Sequence, residues 1–228
     1  MREMLSYLAA ALPPDASAAA RLLALQCALR MNATLHVRLS KGVLRSLRLD
    51  HPEPLGELAR ARWLRPFPPK AANEIAAELL DATLLGQAPA RPDRLHAAHW
   101  ALGASRSSSA GLLGPQQQLV TLHLAAHTVP GAGGGLCELE QMARACGTPP
   151  AELPGILAQL AVTGLVTSWR ACPDSGDLLW SLRPPGTVPL SPDPGPTQAR
   201  AVMPASPSLG TGAGPSGWKA DTNGVSFH

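Results

Sequence analysis

The chain has 228 residues, a formal net charge of +3 and 45% hydrophobic residues, which gives room for one large domain or two small ones with a buried core. No apolar run approaches the roughly 18 residues of a transmembrane helix, and four scattered Cys do not predict a disulfide framework. Aromatic residues make up only 4% of this Ala- and Leu-rich chain. The composition predicts a cytoplasmic, mainly α protein that does not associate with a membrane.

Composition divides the chain into four segments. Residues 1–103 are predicted to form a basic helical domain, and the Ser- and Gly-rich residues 104–114 a linker. Residues 115–183 form a second predicted domain. The tail, residues 184–228, is rich in Pro, Gly and Ser and has no apolar periodicity. Such a segment cannot bury enough surface to offset the entropy of ordering it, so the tail is predicted to be disordered.

Apolar residues at helical spacing predict five helices in the first domain, over residues 16–31, 40–49, 53–62, 71–85 and 92–102. Asp15 or Ser17 can cap the first helix, and Ser40 can cap the second. A short strand is expected at residues 61–65, and the prolines that follow it would shorten any hairpin. The fourth helix would carry an acidic face of Glu74, Glu78 and Asp81.

The second domain has a more regular pattern. It predicts helices over residues 115–129, 136–146 and 149–163, followed by strands over 165–170 and 178–183. Pro115 suits the first turn of its helix, and Gly147 and Gly164 stand where helices end. Thr148 can cap the third helix. The order is helix, helix, tight turn, helix and β-hairpin.

This order resembles the winged helix-turn-helix family of bacterial transcription regulators. The residues that carry the resemblance lie within 115–183: Leu139, Ala143, Gly147, Leu157, Leu160, Gly164, Leu165, Val166, Trp180 and Leu182. The resemblance implies DNA binding, with the third helix in the major groove and the wing on phosphates. The first domain has a similar order, in which residues 61–65 take the place of Gly164-Leu165-Val166. A second, degenerate winged helix in tandem is therefore expected.

Charge is concentrated in the first domain. Residues 21–70 contain ten Lys or Arg against three acidic residues, which favours a polyanionic partner. Lys41, Arg45 and Arg48 have the spacing of one helix face. Arginine side chains suit phosphate oxygens and the guanine edge. The candidate DNA-binding residues here are Arg38, Lys41, Arg45, Arg48, Arg60, Arg62 and Arg65.

The second domain departs from the family because its predicted third helix has no Lys or Arg. Thr148 and Gln159 are its polar candidates for DNA contact, and Arg170 and Arg183 are candidates on the wing. Degenerate winged helices also serve as protein-interaction modules. DNA contact, interaction with another protein and homodimerisation are all open for this domain.

No cluster in the sequence predicts catalysis, a cofactor or a metal site. His123 and His127 are four residues apart, but Cys137 and Cys146 lack the paired spacing of a zinc site. The glycine run at 131–135 lacks the Lys of a phosphate loop. The chain is expected to be a non-catalytic, homodimeric protein that binds double-stranded DNA and regulates transcription. The alternatives are a plasmid or phage replication initiator and a protein-interaction adaptor.

Overall fold

The computed structural model describes residues 1–106, 113–172 and 174–183. These residues contain nine α-helices, one 3₁₀-helix and six strands. The fold is therefore mixed α/β, with two small antiparallel sheets, rather than mainly α. Residues 107–112 of the predicted linker and the predicted disordered tail at 184–228 lie outside the described residues.

The helices follow in chain order: α1 (Arg2–Ala11), α2 (Ala18–Arg30), α3 (Lys41–Ser46), α4 (Glu53–Arg60), α5 (Thr83–Gln87), α6 (Arg91–Arg106), α7 (Pro115–His127), α8 (Leu139–Cys146) and α9 (Leu153–Val162), with the 3₁₀-helix η1 (Pro150–Glu152) before α9. The strands are β1 (His36–Ser40), β2 (Leu64–Pro66), β3 (Glu74–Leu79), β4 (Gly134–Glu138), β5 (Val166–Ala171) and β6 (Asp177–Leu182).

The same order of elements occurs twice. The first repeat, residues 18–79, runs α2-β1-α3-α4-β2-β3, and the second repeat, residues 115–182, runs α7-β4-α8-α9-β5-β6. The sheets have the orders β1-β3-β2 and β4-β6-β5, so the last strand of each repeat lies between the other two. All pairings are antiparallel. The two repeats therefore share one topology.

One continuous hydrophobic core joins the two repeats. Its centre is the packing of α2 against α7, the first helix of each repeat, while α6 packs on both and α1 packs on α2, α7 and α8. Every residue of α2 from Ala20 to Leu29 is buried. Because its residues are buried on every side, including Arg21 and Gln26, α2 is a central helix rather than the one-sided helix that its leucine spacing predicts.

Two predicted helices are wrong in part. Residues 71–85 form β3 and the short α5, and the first residues of the predicted helix 136–146 form β4. Residues four apart share a face in a helix and also in a strand, so Glu74 and Glu78 fit both structures. Helix α1 was not predicted, although three of its residues are buried in the core: Met4, Leu5 and Leu8.

Several local signals are confirmed. The Ser17 hydroxyl accepts the N–H of Ala20 at 3.1 Å, and that of Ser40 accepts the N–H of Val43 at 3.3 Å. Gly147 ends α8 with a φ of 59°, and Gly164 follows α9 with a φ of 73°. Turn chemistry that involves only neighbouring residues was thus readable from sequence.

The glycine run before β4 serves close packing. A Cβ atom on Gly135 would lie 2.3 Å from the Trp180 ring and 2.7 Å from the His127 carbonyl oxygen. The Trp180 indole N–H donates to the Thr128 hydroxyl at 3.0 Å. Gly135 is therefore needed for the indole to cross β4 and reach the end of α7.

Candidate nucleic-acid interface

The predicted basic residues of the first repeat are spread along its surface. Lys41 and Arg45 lie on α3, Arg48 follows that helix, and Arg60 ends α4. Arg62 lies in the turn before β2, while Arg38 and Arg65 lie on β1 and β2. All seven side chains are exposed. They fall into two groups, which differ in whether a carboxylate neutralises them.

Three of these arginines are paired with acids. Arg38 Nη1 lies 2.5 Å from Glu74 Oε1, and Arg65 Nη2 lies 2.5 Å from Glu78 Oε2. Both glutamates are on β3, between β1 and β2. Arg45 Nε is 3.9 Å from Asp50 Oδ2 at a highly exposed position. The outer face of the first sheet is therefore a set of ion pairs rather than a continuous positive surface.

The other four cations have free side chains. Within the described residues, no ion pair or side-chain hydrogen bond is made by Lys41, Arg48, Arg60 or Arg62. The two acidic residues of α4, Glu53 and Glu57, each have a partner within the protein. Glu53 is 2.8 Å from His51 Nδ1, and Glu57 accepts hydrogen bonds from the Ser17 N–H and hydroxyl. The free positive charge lies at the start of α3, in the turn that follows α3, and at the end of α4.

Arg48 and Arg62 adopt an unusual backbone conformation. Their φ angles are 56° and 54°, in the left-handed region that favours glycine. The Arg48 N–H donates to the Arg45 carbonyl at 3.0 Å, as the Gly147 N–H does to Arg144 at 3.2 Å. The two repeats thus have the same turn, with arginine in one and glycine in the other.

The turn after α4 also has arginine where the corresponding turn after α9 has glycine. The Arg62 N–H donates to the Ala59 carbonyl at 3.0 Å, and the Gly164 N–H donates to Ala161 at 2.9 Å. A left-handed residue other than glycine costs roughly 1 kcal/mol. At each of these two turns, the first repeat therefore has a free arginine and the second repeat has a glycine, which adopts this conformation without strain.

The candidates of the second repeat are mostly engaged within the protein. Thr148 is 5% exposed, and its hydroxyl contacts Cys146 and Gln116 rather than capping α9. Gln159 Oε1 accepts the side-chain N–H of Gln117 at 2.7 Å. Arg183 is half-buried, whereas Arg170 is exposed on β5. Within the described residues, no hydrogen bond or ion pair joins these four residues to the free cations of the first repeat.

The surface of α9 is neutral and partly apolar. Val162 is 89% exposed and stands at the end of α9, where the first repeat has Arg60 at the end of α4. The correspondence follows from the turns, since each residue lies two positions before the left-handed residue. The same element of the two repeats thus presents a cation in one and a valine in the other.

His123 is a buried histidine on α7. It is 2% exposed, its ring stacks on His127 with centroids 4.1 Å apart, and neither ring nitrogen has a partner. Burial, with a smaller effect of His127, lowers the pKa of His123 to about 3. In the residues that the structure describes, no three metal-binding side chains form a group that could hold an ion.

Comparison with known proteins gave no match to a family model, a curated protein or a solved structure. Among the described helices, none combines the length and the apolar character needed to cross a membrane. Assignment of a function therefore depends on the geometry of the two repeats and on the charges that they present.

Proposed function

We propose that the chain is a tandem pair of winged-helix units whose first unit binds double-stranded DNA, and that the protein is a non-catalytic regulator of transcription. Each repeat has a helix, a strand, two helices and a closing hairpin, with the strand before the helix pair added to the hairpin sheet. This order supports the winged-helix assignment. In this scheme α4 and α9 are the third helices, and β2–β3 and β5–β6 are the wings.

The observation that carries the proposal is the pair of strained arginines. Arg48 and Arg62 lie before and after α4, on left-handed backbone where glycine costs less. Neither side chain stabilises the fold through a hydrogen bond or an ion pair within the described residues. A free arginine retained at a strained position is best explained by a partner. Arg48, in the turn after α3, and Arg62, just after α4, would contact phosphates beside a groove that holds α4.

Fluorescence anisotropy with a labelled duplex of mixed sequence tests the proposal at several salt concentrations. If Lys41, Arg48, Arg60 and Arg62 each meet a phosphate, log K should fall with log salt with a slope of about −3 to −4. The variant Arg48→Gln/Arg62→Gln should make that slope shallower by about 2. The control Arg91→Gln/Arg144→Gln removes two exposed, unpaired arginines elsewhere and should leave the slope near that of the wild type.

A different surface supports a second function for the second repeat. The exposed Val162 and the absence of Lys and Arg on α9 favour contact with a protein, either another chain or a second copy. If the wild type fails to bind DNA at low salt, the DNA proposal is wrong and this adaptor function is preferred. If it binds, footprinting on promoter and origin fragments separates transcription regulation from replication initiation.

A further inference from the structure

A cavity of about 670 Å³ lies between α1, the start of α2 and the end of α8. Small residues such as Ala9 and Ala10 form part of its wall, and Arg21 and Arg144 supply two cations. Asp15 and Glu140 also line it, and both are exposed. The cavity is distinct from the free cations around α4 and is not used by the proposed DNA contact.

Arg21 is a buried cation that lacks an acidic partner. Arg21 is only 2% exposed. Nε donates to the Ala16 carbonyl at 3.0 Å, and Nη2 donates to the Pro13 carbonyl at 2.8 Å and to that of Pro14 at 3.4 Å. Nη1 has no hydrogen-bond partner, and no carboxylate forms an ion pair with Arg21 among the described residues. Asp15 and Glu57 act on the Arg21 charge only from beyond ion-pair distance, and burial outweighs them and lowers the pKa of Arg21.

The second repeat shows that one backbone contact of Arg21, the one to Ala16, does not require a charge. Gln118 holds the equivalent position: its N–H donates to the carbonyl of the helix-capping residue Gly114, as that of Arg21 does to Ser17, both at 2.9 Å. Its side-chain N–H donates to Leu113, five residues earlier, at 2.8 Å. Arg21 makes the same contact to Ala16. A neutral amide can therefore make the contact to Ala16, and the positive charge of Arg21 is not needed for it. The contacts of Nη2 with Pro13 and Pro14 have no counterpart at Gln118.

A neighbouring cavity is lined by a second buried polar side chain. An adjoining cavity of about 420 Å³ shares Ala9, Ala10 and Arg144 with the first and reaches His123. Both ring nitrogens of His123 are buried and lack a partner, and a neutral ring carries one donor and one acceptor. We propose that these two cavities bind a small organic anion, whose carboxylate or phosphate group lies against Arg21 and Arg144 and whose polar remainder extends toward His123.

Thermal unfolding of the full chain, in the presence of sodium phosphate or sodium succinate at constant ionic strength, tests this site. Binding to the folded state raises the Tm in a saturable way. We expect such a rise for the wild type with at least one of the two anions. Shifts of the Gly147 and Ala16 amide resonances in NMR spectra should follow the same curve, since both residues contact Arg21.

The variant Arg21→Gln copies Gln118 and keeps a side chain that can donate to Ala16. It should fold, as judged by circular dichroism, and bind the anion about tenfold to 100-fold more weakly, which corresponds to one charge-assisted hydrogen bond. Arg144→Gln should bind several-fold more weakly without any change in the core. Arg170→Gln is the control: it removes an exposed arginine on β5 that lines neither cavity, and its affinity for the anion should equal that of the wild type.

The two anions distinguish the sources of the oxyanion. A response to phosphate alone assigns a phosphorylated ligand, and a response to succinate alone assigns a carboxylate. The proposal is overturned if neither anion gives a saturable response at up to about 50 mM, or if Arg21→Gln responds as the wild type does. Should Arg21→Gln fail to fold, unchanged affinity in Arg144→Gln overturns it. No arm uses DNA, so the result is independent of the proposed DNA binding.

Discussion

Arg48 and Gly147 occupy the same turn of the two repeats, with φ angles of 56° and 59°. In each turn the following N–H, of Leu49 or Thr148, donates to a carbonyl five residues earlier, at 2.8 Å and 3.0 Å. The backbone path is therefore conserved between the repeats although the residue is not. Glycine is the low-energy choice for this path, so the arginine is retained at a cost in stability.

Replacement of the strained arginines by glycine should stabilise the fold. We expect Arg48→Gly and Arg62→Gly each to raise the free energy of unfolding by about 0.5–1 kcal/mol, because relief of the left-handed strain exceeds the added entropy of the unfolded chain. Urea unfolding measures this change. Arg60→Gly, on the helical backbone of α4, should instead lose about 0.5–1 kcal/mol. Destabilisation by all three variants would contradict the strain argument.

Release of the paired arginines should strengthen DNA binding. In Glu74→Gln/Glu78→Gln, Arg38 and Arg65 lose their carboxylate partners and become available to phosphate. The slope of log K against log salt should become more negative by up to about 2. The control Glu3→Gln/Glu152→Gln makes the same change in net charge at exposed sites. An equal effect in both variants would mean that only the net charge matters.

The stability of the protein should depend on the protonation of His123. Its pKa is about 3 in the folded state and 6.5 for the ordinary side chain, so the unfolded state binds the extra proton between these values. Stability is therefore lost as the pH falls below about 6.5, by up to about 1.4 kcal/mol per pH unit from this group. His123→Leu should flatten urea-measured stability between pH 6 and 4. His127→Leu, at a half-buried position, should leave most of the slope.

Loss of the Tyr7 hydroxyl should release α1. This hydroxyl donates to Asp81 Oδ2 at 2.5 Å and joins α1 to the segment after β3. Tyr7→Phe should cost about 1.5–3 kcal/mol at pH 7, the range for a hydrogen bond to a charged group.

The same bond predicts a pH dependence. Burial alone would raise the pKa of Asp81, but hydrogen bonds from Thr83 and Tyr7 outweigh it and hold that pKa below 3.8. The stability that comes from the ionised Asp81 is present above this pH and is lost as the pH falls through the folded-state pKa. The difference between wild type and Tyr7→Phe should therefore shrink below about pH 4, and a constant difference at low pH would assign the loss to packing instead.

The close packing of Trp180 gives a steric prediction. Gly135→Ala places a methyl group against the indole ring and the His127 carbonyl, and it should cost about 1–3 kcal/mol or more. Gly56→Ala is the matched control, because a Cβ atom there meets nothing within 4 Å on α4. It should stabilise the protein by about 0.5–1 kcal/mol. Near-equal Tm values for the two variants would contradict the packing of Trp180 over Gly135.

Sequence was most informative where a residue and its immediate neighbours decide the structure. The caps at Ser17 and Ser40 and the stop at Gly147 need only local hydrogen bonds. Strand β3 was mistaken for a helix because Glu74 and Glu78 fit either structure and because β1, which pairs with one edge of β3, is distant in sequence. The same error concealed the ion pairs of Glu74 and Glu78, which neutralise two of the predicted DNA-binding arginines.

The candidate anion site was beyond sequence reasoning for a related reason. The spacing of the leucines predicts that α2 has one buried face and that Arg21 lies on the opposite, solvated face. The contact of α2 with α1, α4, α6 and α7 buries its whole circumference. Only the tertiary structure shows that Arg21 is a buried cation, and only the repeat shows that Gln118 stands in its place.

The packing of α2 against α7 has a consequence for how the two halves can change. In a homodimer, any substitution appears in both subunits, so the two surfaces stay identical. Here both halves are encoded in one chain, and a substitution at residue 48 leaves residue 147 as it was. One half can become basic while the other becomes neutral, as Arg60 and Val162 illustrate. A pair of this kind is free to match a target whose own two halves are unlike.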